Sequence, residues 1–383
     1  MKKIFVCMLC VIMLLAACVP AFAAQQKLDL DAKAAVLMDL GSGKVLYALR
    51  ENDRRYPASV TKVMSLLLVM EALESGKLKL EDKIAASETA VSFGGSQIWL
   101  EVGEKMSVDD MLKAVTIASA NDACTALGEA VSGSSEAFVA AMNERADQLG
   151  LKNTHFENCT GLDENEKNHY SSALDIALMS RALMRYERIQ TYSSTWMDSL
   201  RGGKTELVNT NRLVRFYNGC IGLKTGTTTK AGFCVSAVAK RGGTTLCAVI
   251  LGAENSDERF NSAARLLDYG FANFESVSPE IELSAAQVGV VGGTEETLPL
   301  TLAASHPLVS VPKGEGKAVV TKLSLPESVR APVEKGEAVG KAAFYLGKEC
   351  LGSVDILSAR RIDKLDFWSA LIKLLQSGVT NIK

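Results

Sequence analysis

The alternation of apolar and polar positions predicts strands on both sides of a helical region. Two apolar runs flank Gly41-Ser42-Gly43 and two more flank Gly242-Gly243, so each pair predicts a β-hairpin. The pattern over 107–186 is mostly helical, and Asn255 or Ser256 would cap a further helix after the second hairpin. This order predicts an α+β fold, in which helices cover one antiparallel sheet whose first and last segments pair.

Beyond residue 275 the pattern changes to short β-prone runs separated by glycine, proline and charge. We therefore expect a catalytic domain over 24–275 and a small all-β domain, a β-sandwich, over 276–358. The tail, 359–383, has apolar residues at helical spacing: Ile362, Leu365, Trp368, Ile372 and Leu375. It predicts an amphipathic helix on a membrane surface, with packing against its own protein as the alternative.

The first residues have the pattern of an export signal. Lys2-Lys3 precedes an apolar run too short to span a bilayer, and Ala21-Phe22-Ala23 offers a cleavage site. We expect a signal peptide over 1–23, although "LAAC" also resembles a lipobox that would lipidate Cys18. Either form places the mature protein at the outer face of the bacterial cytoplasmic membrane.

Composition narrows the function classes. The chain has 383 residues, with 42 basic against 44 acidic side chains and no basic cluster interleaved with aromatic residues, which argues against nucleic acid as a partner. Outside the signal, six cysteines remain at wide spacing, so we expect most of them to be small buried hydrophobic residues. None has metal-ligand spacing, and we predict neither a metal nor another cofactor.

The stretch "YPASVTKVMSLLLVMEAL" places Ser59 and Lys62 at the start of an apolar helix that would end near Ser75-Gly76. Residues three apart share a helix face, so the amine could accept the hydroxyl proton and activate a weak nucleophile. The same spacing occurs by chance at Ser310 and Lys313, where Pro312 excludes a helix interior. The pair alone is therefore a weak signal.

Two further motifs strengthen the interpretation of Ser59 and Lys62 as a nucleophile and its base. Ser119-Ala120-Asn121 lies between two helical patterns, and Lys224-Thr225-Gly226-Thr227 precedes a strand. Each also has a structural interpretation, as a helix cap and as a turn entering a strand. Together, in the order S-x-x-K, S-x-N and K-T-G, they match the motif set of penicillin-recognising serine acyl-transferases.

Within that group the chain resembles the D-alanyl-D-alanine carboxypeptidases, the low-molecular-mass penicillin-binding proteins. The resemblance covers essentially the whole mature chain and includes "GGSQIWLEVGE", "ASANDAC", "HFENCTGLD", "NTNRLV" and "GLKTGTTTKAGFCVSAVA". It implies a β-lactamase-like domain with a helical subdomain, followed by the β domain and the tail. It also implies the substrate, a peptidoglycan stem peptide that ends in D-Ala-D-Ala, and inhibition by β-lactam antibiotics.

The resemblance implies four catalytic residues. Ser59 would form the acyl-enzyme, and Lys62 would take its proton, with a pKa lowered by partial desolvation and by Lys224. Ser119 would pass a proton to the departing D-alanine. Asn121 would orient the substrate amide and Lys62.

It also implies four substrate-binding residues. Lys224 and Thr225 would hold the terminal carboxylate, and Gly226 would let the substrate approach the strand. The N–H groups of Thr227 and of the nucleophile would form the oxyanion hole. Some members carry an arginine within the segment that here reads "NTNRLV". This chain has Thr210 between the two asparagines and Arg212 one place beyond them, so Arg212 stays outside the predicted catalytic set.

Two other functions stay open on the sequence. A serine β-lactamase would need a deacylating base, and Glu157, Glu164 and Glu166 are available. The extra β domain and the tail argue against it. A non-catalytic cell-wall binding protein would have no need of the Ser59 and Lys62 pair.

Overall fold

The computed structural model describes residues 28–284, 286–304 and 306–368. All elements given below belong to the compact unit that begins at Asp31. The predicted signal peptide and Cys18 lie outside the described residues, as does the tail beyond Trp368.

The first part of the chain contains nine strands among its described residues: β1 (Ala34–Asp39), β2 (Val45–Leu49), β3 (Lys83–Ala85), β4 (Lys105–Ser107), β5 (Met197–Leu200), β6 (Thr205–Val208), β7 (Cys220–Thr228), β8 (Gly232–Arg241) and β9 (Thr244–Ala253). Its described α-helices are α1 (Lys62–Glu74), α2 (Glu88–Ser92), α3 (Val108–Lys113), α4 (Asn121–Ser132), α5 (Ser135–Gln148), α6 (Ala173–Leu183), α7 (Glu187–Ser193), α8 (Leu213–Phe216) and α9 (Ser256–Asn273). Short 3₁₀ turns occupy Ala58–Thr61 and Arg201–Gly203, and a π-helical turn occupies Ala114–Ala118.

Five strands form one antiparallel sheet in the order β2-β1-β9-β8-β7. The first hairpin therefore pairs with the last strand, through β1 and β9, as predicted. Every residue of β1 is buried, because α6 and α9 both pack on β1 and β9 and cover the two faces. Strand β7 lies at the sheet edge, which leaves one side of its backbone available to another element.

Of the two caps predicted after the second hairpin, Asn255 is the one used, and Ser107 caps α3 in the same way. Ser107 Oγ accepts a hydrogen bond from the backbone N–H of Asp110 and starts α3, and the Asn255 side chain accepts from two N–H groups at the start of α9. The helices between β2 and β7 pack around the apolar helix α1, whose middle is buried on nearly all sides. This packing fixes the first turn of α1, where Ser59 and Lys62 lie.

A second, all-β part follows without a linker. Its described strands are β10 (Phe274–Val277), β11 (Gly289–Val291), β12 (Leu300–Leu302), β13 (Val309–Pro312), β14 (Val319–Ser324), β15 (Ser328–Arg330), β16 (Ala338–Leu346) and β17 (Glu349–Ser358). Four of them form a sheet in the order β12-β17-β16-β14. Strand β10 pairs with β13, and Ser276 Oγ donates to Asp39 Oδ2 at 2.8 Å, so β10 begins before residue 276 and contacts both parts.

The predicted tail helix does not begin at residue 359. The chain from 359 to 366 is not helical, and Ile362 is buried beside Val288, Leu298 and Val333 in a small core of the β domain. Backbone hydrogen bonds between Ile362 and Val333 hold this segment in place. The apolar residues that matched a helical stripe thus include one that belongs to the β domain. Leu365 precedes the described start of a helix and donates its N–H to the Gly292 carbonyl, while Ile372 and Leu375 lie outside the described residues.

The described helices include none that is both long and apolar enough to cross a bilayer. Five of the cysteines outside the signal are buried free thiols, as expected for most of them, whereas Cys350 is exposed.

Candidate active site

The nucleophile lies on a tight turn. Ser59 belongs to the 3₁₀ turn that leads into α1, and Ala58 before it has a positive φ of 49°. Gly161 packs directly beneath, because a Cβ added there would lie 1.9 Å from the Ala58 carbonyl oxygen. No larger residue fits at 161 unless this turn moves.

Lys62 is completely buried and has three oxygen neighbours. Its Nζ lies 3.0 Å from Ser59 Oγ, 2.6 Å from Asn121 Oδ1 and 2.8 Å from the Thr160 carbonyl oxygen. Burial lowers the pKa of this amine from 10.5 to about 8. The neutral amine can donate its two N–H groups to the two carbonyl-type oxygens, which leaves the lone pair for the Ser59 proton.

Asn121 is fixed from two sides. Its Nδ2 donates to the Gly94 carbonyl at 2.6 Å, which leaves Oδ1 directed at Lys62. Ser119 lies just before it, after the π-helical turn, in the left-handed conformation with φ 67°. Ser119 is buried, but within the described residues its hydroxyl makes no hydrogen bond to Ser59 or Lys62.

Strand β7 carries the K-T-G motif along the nucleophile turn. A Cβ at Gly226 would lie 2.7 Å from the Ser59 backbone nitrogen and 2.8 Å from the Pro57 carbonyl oxygen, so the strand and the turn are in backbone contact. Glycine permits this approach where any side chain would block it. The N–H group of Ser59 therefore faces the edge strand.

Lys224 is buried beside Lys62. Its Nζ donates to the Thr225 carbonyl at 3.0 Å. Burial lowers the pKa of Lys224 well below its usual value, and the charges of Lys62 and Arg259 lower it further. The charge of Lys62 therefore lowers the pKa of Lys224, whereas the pKa of Lys62 is lowered mainly by burial and not, as the sequence suggests, by the neighbouring lysine.

Arg259 is a residue that sequence reasoning missed. It lies on α9 behind β7 and donates to the Gly226 carbonyl at 3.2 Å, to Thr227 Oγ1 at 3.1 Å and to the Cys234 carbonyl at 3.2 Å. Burial lowers its pKa to about 10. It carries no motif of its own, and only its position in the first turn of a helix after β9 could have indicated it.

His169 supports the nucleophile turn from the other side. Its Nδ1 accepts the backbone N–H of Glu157 at 3.1 Å, so Nε2 carries the proton and donates to Thr61 Oγ1 at 2.8 Å. Burial lowers the pKa of His169 to about 4, which keeps the ring neutral. This histidine positions the S-V-T-K turn and does not contact Ser59.

The other candidates lie apart from this centre. Glu157 accepts backbone N–H groups of its own loop, Glu166 accepts from Asn158, and Glu164 is exposed. Within the described residues none of the three hydrogen-bonds to the nucleophile or to its lysine. Arg212 forms an ion pair with Asp257.

Thr210 and Lys313 of the second S-x-x-K pair each have a defined hydrogen-bond partner in the structure. The hydroxyls of Thr210 and Thr225 form a hydrogen bond of 2.7 Å. Ser310 lies on strand β13, and Lys313 donates to the Phe271 carbonyl, so this second S-x-x-K is structural, as predicted.

A serine in hydrogen-bond contact with a buried lysine of lowered pKa, beside the edge strand that carries the K-T-G motif, is the arrangement expected of a penicillin-recognising serine acyl-transferase. The sequence profile of the D-alanyl-D-alanine carboxypeptidase family matches residues 21–255, and that of the C-terminal domain of penicillin-binding protein 5 matches residues 281–364. The chain belongs to the D-alanyl-D-alanine carboxypeptidase family, and it is a serine carboxypeptidase.

Individual relatives agree with this assignment. The chain is 42% identical over 378 residues, 96% of each chain, to D-alanyl-D-alanine carboxypeptidase DacF of Bacillus subtilis. It is 34% identical to DacC of Escherichia coli, over 91% of this chain and 89% of that one. The crystal structure of penicillin-binding protein 5 from Haemophilus influenzae superposes with a TM-score of 0.75 at 31% identity, covering 88% of this chain and 99% of that one.

The close packing at residue 161 leads to a prediction. We expect Gly161→Ala to lower the rate constant of acylation by penicillin about 100-fold, because the added Cβ displaces Ala58 and with it Ser59. The measurement is the second-order rate constant of labelling by a fluorescent penicillin, with thermal unfolding recorded alongside.

The matched control is Gly133→Ala. Gly133 has a similar φ of 89°, but an added Cβ would meet no atom within 4 Å. This variant shares the backbone strain of about 1 kcal/mol and should label at the rate of the unmodified protein. Equal losses of the labelling rate constant in both variants would show that the contact of residue 161 with Ala58 does not control the position of Ser59.

Proposed function

We propose that this carboxypeptidase removes the terminal D-alanine of peptidoglycan stem pentapeptides through an acyl-enzyme on Ser59. The observation that carries the proposal is the 3.0 Å contact between Ser59 Oγ and the Nζ of a lysine whose pKa is lowered to about 8. Lys62 takes the hydroxyl proton as Oγ attacks the carbonyl of the penultimate D-alanine.

Collapse of the tetrahedral intermediate breaks the peptide bond. The proton that Lys62 took from Ser59 passes by way of the hydroxyl of Ser119, which is buried two residues before Asn121, to the nitrogen of the departing D-alanine. Asn121 holds Lys62 and the substrate amide in place. Water then attacks the ester on Ser59 and releases the shortened peptide.

The K-T-G strand selects a C-terminal residue. Lys224 and Thr225 hold the terminal carboxylate, which an internal peptide bond lacks, while Gly226 leaves room for the substrate backbone along the strand edge. The N–H groups of Ser59 and Thr227 stabilise the oxyanion, and each such donor contributes on the order of 3 kcal/mol to lowering the barrier.

Penicillins enter by the same route, since their ring carboxylate takes the place of the D-alanine carboxylate. The resulting acyl-enzyme deacylates slowly in this proposal, and within the described residues no glutamate hydrogen-bonds to Ser59 or Lys62 as a fast deacylating base would. The same geometry argues against the β-lactamase alternative, which needs a fast deacylating base.

The nucleophile can be tested directly. Intact-mass spectrometry of the mature protein with excess penicillin should show a stable one-to-one adduct that Ser59→Ala abolishes. Ser310→Ala is the matched control, because Ser310 has the same S-x-x-K spacing but lies on a strand with an unpartnered hydroxyl.

Other outcomes have distinct meanings. An adduct that survives Ser59→Ala would contradict the assignment of the nucleophile. Penicillin turnover without an adduct would indicate a β-lactamase, and no reaction at all would favour a non-catalytic cell-wall binding protein.

The lysine base predicts a pH dependence. Only neutral Lys62 can accept the Ser59 proton, so the rate constant of penicillin acylation should rise with pH through an apparent pKa near 8. The value belongs to the interacting pair Lys62 and Lys224. Lys62→Arg should abolish the rise and the activity, since a guanidinium does not deprotonate, and a rate independent of pH between about 6 and 9.5 would contradict this role.

We also propose that the protein is exported and is held at the outer face of the cytoplasmic membrane by its C-terminal tail. Support comes from the described end of the chain, where Phe367 and Trp368 are adjacent, 74% and 70% exposed, and in edge contact with each other. Exposed aromatic pairs next to basic residues suit a bilayer interface.

The tail is tested by a truncation after Asp366. It should move the protein from the membrane fraction to the soluble fraction of the cell envelope. The cut must spare Ile362, whose burial in the β domain would otherwise confuse lost anchoring with lost folding. Retention in the membrane fraction would contradict anchoring by the tail and favour lipidation of Cys18.

A further inference from the structure

Trp99 is held in an unusual position. Its side chain is 77% exposed, and its backbone has a φ of 58°, in the left-handed region that a bulky aromatic residue rarely occupies. In the described part of the chain its indole stacks on no other ring and on no cation. A large apolar side chain is thus presented to solvent at the expense of backbone strain.

Two charged side chains hold the backbone around Trp99. The buried carboxylate of Asp122 accepts the N–H of Ile98 at 3.2 Å and that of Leu100 at 3.0 Å. From the other side Arg201 donates to the carbonyl of Ile98 at 2.9 Å and to that of Trp99 at 3.5 Å. These contacts fix both peptide groups that flank the indole.

Arg201 is itself fixed by Glu104, with Nε and Oε1 2.7 Å apart. This pairing lowers the pKa of Glu104 and raises that of Arg201, so both stay charged. A buried carboxylate and an ion pair are therefore used to hold one exposed tryptophan in place.

Packing of the loop does not require an indole. The neighbours Ile98 and Leu100 are 2% and 3% exposed and anchor the segment, so the residue between them must point outward. A polar side chain would satisfy that position, whereas an exposed tryptophan leaves a large apolar surface in water. An exposed aromatic residue held rigidly is typical of a contact for a ligand.

The loop is part of the wall of the active site. Asn121 donates its backbone N–H to the Ser96 carbonyl at 2.7 Å and its side-chain N–H to the Gly94 carbonyl. Asp122, the next residue, is the one that holds the Trp99 backbone. Trp99 lies three residues beyond Ser96, so at most about 11 Å of chain separates it from a residue that contacts Asn121.

We propose that Trp99 binds an amino-sugar ring of the peptidoglycan strand that carries the stem peptide, an inference that rests on the proposed function. An extended stem pentapeptide spans about 17 Å, so its sugar-bearing end lies well beyond the bond that Ser59 attacks and can reach other parts of the active-site wall. A pyranose ring has a face of C–H groups that packs on an indole, while the exposed Glu101 two residues further on offers a carboxylate to the hydroxyls.

The test compares three substrates: a short acyl-D-Ala-D-Ala peptide, a free pentapeptide, and a disaccharide-linked pentapeptide. We expect Trp99→Ala to lower kcat/KM for the disaccharide substrate about three- to tenfold more than for either sugar-free substrate. Trp99→Phe should restore most of the difference, because it keeps an aromatic face. Val102→Ala, an exposed apolar change in the same loop, is the matched control and should alter none of the three ratios.

The competing outcomes are separable. An equal loss of kcat/KM on all three substrates would mean that Trp99 only shapes the loop that holds Asn121. An equal loss on the two pentapeptide substrates alone would mean that Trp99 contacts the peptide. Either result overturns the proposal. Penicillin labelling of each variant reports the nucleophile independently, so a protein that is not acylated would contradict the proposed function and not the sugar contact.

Discussion

The structure depends on one costly arrangement, the complete burial of the Lys62 amine. A shift of its pKa from 10.5 to about 8 corresponds to a free energy on the order of 3 kcal/mol that folding must supply to keep the charged form buried. The site lowers this cost by surrounding Nζ with three oxygen atoms. The oxygens of Asn121 and Thr160 can only accept hydrogen bonds. They therefore take the two N–H groups of the neutral amine, and its lone pair is left for the Ser59 proton.

Two glycines transmit this constraint to the rest of the fold. The segment that supplies the Thr160 carbonyl to Lys62 continues into Gly161, which packs under Ala58, while Gly226 packs on the other side of the Ser59 turn. The nucleophile turn is thus held between a loop of the helical region and the edge strand of the sheet. The strained φ at Ala58 persists because both contacts fix it.

The sequence predicts the part of the site that depends on side-chain chemistry. Ser59, Lys62 and Asn121 are linked by hydrogen bonds as their motifs imply, and the pairing of β1 with β9 follows from the order of elements. The Thr160 contact could not be predicted, since any residue offers a carbonyl and the partner is 98 positions away. In the tail, by contrast, the sequence pattern predicted too much. The spacing of its apolar residues indicated a helix that includes Ile362, but the β domain buries this residue in its own small core.

Under the proposed function, the two lysines also explain how binding of the substrate's terminal carboxylate would prepare Ser59 to attack the preceding peptide bond. Burial and the neighbouring charges disfavour a proton on Lys224 in the empty site, and a bound carboxylate favours it again. A charged Lys224 in turn repels a proton from Lys62, because the interaction between two titrating groups is mutual. Under the proposed function, binding of a C-terminal carboxylate would therefore place the positive charge at the strand and favour neutral Lys62, which is the form that can accept the Ser59 proton.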